Sequence, residues 1–237
     1  MRASSYLGRF RGLVMKQKRN IYSFLLILGF VFLLFVADIQ AFSIPMIPAY
    51  ILMSAFLSFM VMVPRKLIAR RFDMSVSYNF WYMGLLISII ITLGASLSGF
   101  SALFPVLGSL EYARNRRTLS GVKAQETSNK EKTYVSLLVS LIFIGTGLLL
   151  IFEGGMYSQE LFYQSGAFLL FLSFVSILPY HKLEGLYLFY HNVFMYGIIA
   201  AVMLLIFVLS FISLMISVYL FAALAVLVFV SKLARII

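Results

Sequence analysis

From Gly185 to Ser231 the chain carries no charged side chain unless His191 is protonated, and a second uncharged run extends from Met74 to Leu110. A helix rises about 1.5 Å per residue, so runs of this length suit one or two passages through about 30 Å of hydrocarbon. With 62% hydrophobic and 11% charged residues among 237, and a mean hydropathy of +1.01, the chain reads as a polytopic helical membrane protein with no stretch left for a second folded domain. The lack of cysteine excludes disulfides, covalent haem attachment and thiolate metal sites, and says nothing about compartment.

The net charge of +11 raises the question of nucleic acid, but its placement follows the positive-inside rule instead. Met1 to Asn20 holds Arg2, Arg9, Arg11, Lys16, Lys18 and Arg19 with no acid, and reads as a basic segment retained in the cytoplasm. Spans follow from Ile21 to Ala37 and from the Pro45 and Pro48 turn to about Val63, after which Pro64 precedes Arg65, Lys66, Arg70 and Arg71. Further spans run from Thr133 to Phe152 and from Leu161 to Tyr180. A short embedded helix after Gly185 leads to Val193–Leu209 and Ser213–Val230. This threading gathers all 19 Lys and Arg on one side and leaves Asp38, Glu153 and Glu160 on the other. It requires Met74 to Leu110 to begin and end on the basic side.

Two crossings need about 40 apolar residues and one needs about 20, so the intermediate length of that stretch predicts one helix and a shorter re-entrant return. Gly94, Ala95, Ser96, Ser98 and Gly99, then Pro105 and Gly108, fit such a break. Tyr78, Trp81 and Tyr82 suit an aromatic belt at the interface. The expected fold is all-α and polytopic, with about six or seven transmembrane helices plus the re-entrant element. Residues 21–237 form one membrane domain, and the amino terminus, the polar loop 111–132 and the carboxy terminus face the cytoplasm of a cell membrane.

The stretch Val-Ser-Ile-Leu-Pro-Tyr-His-Lys-Leu-Glu-Gly, Val175 to Gly185, interrupts the apolar C-terminal half with a proline, a glycine and a carboxylate. It resembles the Asn-x-x-Pro-x-x-x-Leu-Asp-Gly element of the site-2 protease family of intramembrane zinc metalloproteases, with Ser176 for the Asn, then Pro179, Leu183, Glu184 for the metal-binding Asp, and Gly185. The family's partner motif, His-Glu-x-x-His before a basic cluster, corresponds to Val61–Phe72. Lys66, Ala69, Arg70 and Arg71 keep its frame and resemble archaeal members most. Val61 and Arg65 stand at the two histidine positions and Met62 at the general base.

Gly84-Leu85-Leu86 and Phe104–Gly108 fall where the family has a helix and a re-entrant element flanking its active site. The family's Ala-Gly-Pro element has no counterpart at Val135 to Ser140, where Leu137 and Leu138 stand. The resemblance covers about Phe59 to Asn192. It implies a protease-like core in which Arg65 and Glu184 converge as an ion pair standing in for the metal. Without such convergence, Arg65 snorkels to lipid headgroups and Glu184 caps the helix that begins near Gly185.

A zinc hydrolase needs about three protein ligands and a base around one ion. No histidine precedes His181, so no shift of alignment restores the motif. His181, Glu184 and His191 are the remaining ligand candidates, and they fall on one helical face. The two histidines would nevertheless lie about 15 Å apart along the axis, too far to share one metal. Serine-hydrolase elbows and phosphate-cradling glycine patterns are missing.

The expectation is a non-catalytic, cofactor-free membrane protein that binds transmembrane helices as an accessory subunit of a larger membrane complex. The lack of appended soluble domains favours that role. Its partners are the bilayer and the helices of other membrane subunits, not nucleic acid. The alternatives are a regulatory pseudoprotease holding a client helix and a small transporter or channel. Against transport, the spans carry few ionisable residues. Active chemistry through His181, Glu184 and His191 is a further alternative.

Overall fold

The computed structural model describes residues 21–39, 42–99, 103–106, 108–114, 129–179, 183, 185–210 and 212–233. Its helices are α1 (Ile21–Ala37), then α2 (Ile47–Arg71), α3 (Tyr82–Leu97), α4 (Asn129–Tyr157), α5 (Glu160–Ile177), α6 (Gly185–His191), α7 (Val193–Ser210) and α8 (Leu214–Leu233). Four stretches, Ile44–Arg71, Lys130–Tyr157, Glu160–Ile177 and Val193–Ser210, are long and apolar enough to cross a membrane, and three shorter helices are also apolar. The result is a helical membrane architecture, as the uncharged runs predict.

Helix α5 is central. From Gln164 to Leu170 every side chain is buried, and its two faces serve two clusters. Phe168, Leu169 and Leu172 join α1, α2 and one side of α4, while Leu170 and Ile177 join α6, α7 and α8. Between membrane helices, large apolar side chains give no preference for protein over lipid, so close approach depends on small residues. The α4–α5 hairpin meets this need at three levels. A Cβ on Gly154 would lie 2.6 Å from the Tyr163 nitrogen, and one on Gly166 would lie 2.6 Å from the Gly147 carbonyl. Ser173 Oγ donates to the Ser140 carbonyl at 3.3 Å. On α4 these levels are Ser140, Gly147 and Gly154, a heptad spacing that keeps one seam facing α5.

The segment between α2 and α4 departs from a purely helical reading. Strand β1 (Met74–Phe80) pairs antiparallel with β2 (Gly108–Arg114), from Met74 opposite Arg114 to Phe80 opposite Gly108. The all-α expectation therefore needs this two-stranded sheet added, and the polar loop is shorter at both ends than 111–132, because β2 and α4 extend into it. Period-two alternation explains β1: Met74, Val76 and Tyr78 pack toward the core, with Ser75 and Ser77 between them.

Between the strands, α3 rises and an extended return, 103–106, descends along it. Backbone polar groups in hydrocarbon must find protein partners, and α3 supplies them. Its buried residues are Gly84, Ser88, Thr92 and Ser96, one small residue every fourth position. Ser88 Oγ accepts from the Val106 N–H at 2.7 Å, and Thr92 Oγ1 accepts from the Phe104 N–H at 3.1 Å. At Gly84 a Cβ would meet the Trp81 ring at 2.6 Å and the Val106 carbonyl at 3.0 Å. The helix and extended return agree with the length arithmetic.

Two further expectations are corrected. Helix α2 does not stop at Val63 but continues through Pro64 to Arg71. Proline removes one N–H from the ladder and crowds the carbonyl four residues earlier, and packing on both sides of Pro64 holds the helix together. The aromatic trio does not form a belt either. Tyr82 is outward, but Tyr78 turns inward over Arg65 and Trp81 packs beneath Gly84.

Candidate functional site

Along α2 the buried positions are Tyr50, Met53, Ser54, Leu57, Ser58, Val61, Met62, Arg65 and Ala69, an unbroken three-and-four spacing. The three positions aligned with the missing metal motif thus share one inward face. Val61 is 0% exposed, Met62 5% and Arg65 3%. Snorkelling is excluded for Arg65, whose head is covered by protein.

A lone cation in hydrocarbon costs about 3 kcal/mol on insertion scales, so its surroundings must compensate. Arg65 Nη1 donates to the Val61 carbonyl at 3.0 Å, one turn back in the segment disturbed by Pro64. The guanidinium carbon lies 5.0 Å from the Phe143 ring centroid on α4 and 5.9 Å from that of Tyr78 on β1. Desolvated cation–π contacts reach about 2 kcal/mol within about 6 Å. Of the two rings, that of Phe143 lies the closer to the guanidinium.

Beside this, the Pro-Gly element closes on α5. Ser176 Oγ donates to the Ser173 carbonyl at 2.8 Å and lies 3.5 Å from Ser140 Oγ on α4. Helix α5 ends at Ile177, just before Pro179. Gly185 then opens α6 directly against that end, where a Cβ would collide with the Ile177 carbonyl. Two residues on, Tyr187 meets Tyr112 of β2 edge-on at 6.1 Å, and Lys132 of α4 sits 4.9 Å from its ring. The sheet thus links the Arg65 face, through Tyr78 on β1, to α6, through Tyr112 on β2.

His181 and Glu184 lie outside the described residues, and with them the Glu184 half of the expected ion pair and most of the ligand set. His191 is the last residue of α6. Among the described residues no three His, Cys, Asp or Glu side chains group closely enough to hold a metal. Around Arg65 the described residues include aromatic faces and a backbone carbonyl, which stabilise a fixed cation. The sequence reading missed Phe143 and Tyr78 as the guanidinium's neighbours. The alternation in β1 was the available signal for Tyr78; Phe143 carried none. Comparison with family models, with curated proteins and with solved structures gives no match to this chain.

Proposed function

We propose that this chain is a non-catalytic membrane protein of site-2-protease-like architecture that binds transmembrane helices, as an accessory subunit of a larger membrane complex. The observation that carries this reading is the burial of Val61, Met62 and Arg65 on one face of α2, beside a helix and extended return joined by hydroxyl ladders. A guanidinium with aromatic cover fills the place where the family resemblance expects a metal. In this reading α1, α2, α4, α5, α7 and α8 cross a cell membrane, and α3 with its return is re-entrant. The pairing of Met74 with Arg114 supports the orientation, because it puts both ends of the re-entrant segment on one side, as the distribution of Lys and Arg requires.

The test is affinity purification of the full chain from its native membrane in mild detergent, with mass spectrometry of the co-purifying proteins and metal analysis of the same sample. Stoichiometric membrane subunits without bound zinc are expected. A lone polypeptide would contradict the subunit reading, and stoichiometric zinc would contradict the non-catalytic one.

A further inference from the structure

Toward the opposite end of α2 from Arg65, that helix and the α4–α5 hairpin part around a cavity of about 1000 Å³. Its walls are apolar, with Leu52, Met53, Phe56, Leu150, Leu161 and Phe162 among them. Leu52 is 72% and Phe56 36% exposed, so the slot opens sideways, where lipid would lie. Along α2 it runs from Pro48 to Phe56, about 12 Å at the helical rise. Its volume is at the upper end of the range for sites that take whole small ligands, about 300–1,000 Å³.

One end of this slot is anionic. Glu160 and Gln164 line it, and Gln164 Nε2 lies 3.4 Å from Glu160 Oε1 and 3.2 Å from Oδ2 of the buried Asp38. The segments that build the walls bring no Lys or Arg: none occurs between Asn20 and Pro64 or between Thr133 and His181. A glutamate in the first turn of α5 also suits the helix dipole, but that role involves no adjoining apolar slot. An occupant complementary to both features is a long apolar chain ending in a positive charge.

We propose that this cavity binds a bilayer lipid whose headgroup ends in a primary ammonium, with an acyl chain in the slot and the ammonium at Glu160. The inference depends on the membrane setting and not on the protease-like reading of Arg65. Its test uses the full chain in detergent, supplied with equal amounts of phosphatidylethanolamine and phosphatidylglycerol of identical chains, the retained lipid being counted by native mass spectrometry. The wild-type protein is expected to retain phosphatidylethanolamine in preference. Glu160→Gln should lower that retention about fivefold, the ratio corresponding to about 1 kcal/mol for a solvent-facing ion pair, and leave phosphatidylglycerol unchanged. Ala49→Trp, which fills the slot, should abolish it. Equal retention of the two lipids by the wild type, or a phosphatidylethanolamine preference that survives either substitution, would overturn the proposal. Glu160→Gln is isosteric at an exposed position and keeps the test valid if Ala49→Trp does not fold.

Discussion

Gly185→Ala is expected to destabilise the protein by at least about 3 kcal/mol, the upper range for forcing extra volume into a packed site. The cause is a contact of backbone on backbone. Helix α6 starts against the last carbonyls of α5, and a Cβ there would run into Ile177, which has no flexible end to move aside. Relief requires α6 to lift, and that would break the Tyr187 contacts with Tyr112 and Lys132. The measurement is the thermal unfolding midpoint in detergent, expected to fall by about 6 to 12 °C for a chain of this size. Gly197→Ala is the control, since a Cβ there meets nothing within 4 Å and alanine favours helix by up to about 1 kcal/mol. An unchanged midpoint for Gly185→Ala would show that α6 does not abut α5 in this way.

Gly166→Leu should be at least as damaging, and for a different reason. At the α4–α5 crossing the two backbones touch: a Cβ on Gly147 would lie 2.9 Å from the Gly166 carbonyl, and one on Gly166 would lie 2.6 Å from the Gly147 carbonyl. A leucine side chain wedges the hairpin open at its centre. Because α5 serves both apolar clusters, the disturbance reaches α2 on one side and α7 on the other. Loss of the monodisperse species in detergent chromatography is expected for Gly166→Leu. Gly155→Leu, on the α4 side of the same hairpin but facing open space, should remain monodisperse. Equal behaviour of the two would contradict a close-packed seam.

Much of this architecture is legible as charge and length. The uncharged runs set out the helices, and the intermediate length of Met74 to Leu110 foretells a helix with a short return. The α4–α5 seam was also present in the sequence, as Ser140, Gly147 and Gly154 at heptad spacing, but hydropathy does not register it. In lipid, contact surfaces are marked by small residues rather than by the most apolar ones. The β1–β2 sheet was signalled by the alternation from Met74 to Phe80, masked by the expectation that an uncharged run is helical.

Pro64 misled in the opposite direction. Proline reads as a helix end, yet tertiary packing carries α2 through it, and the carbonyl one turn before Arg65 becomes a guanidinium acceptor. Nothing in the sequence announces the lipid-sized cavity, because it arises from the divergence of α2 and the hairpin and not from any local pattern. The arrangement of aromatic rings around Arg65 is equally a product of three elements far apart in the chain.

A protease-like core requires Arg65 on α2 and Glu184, just before α6, to interact across the bundle. A double-mutant cycle with Arg65→Met, Glu184→Gln and the combined variant, each read as unfolding free energy in the same detergent, measures that interaction directly. The predicted result is a coupling of at least about 1 kcal/mol, with the second substitution costing far less once the first is made. Costs that add to within about 0.5 kcal/mol would contradict it.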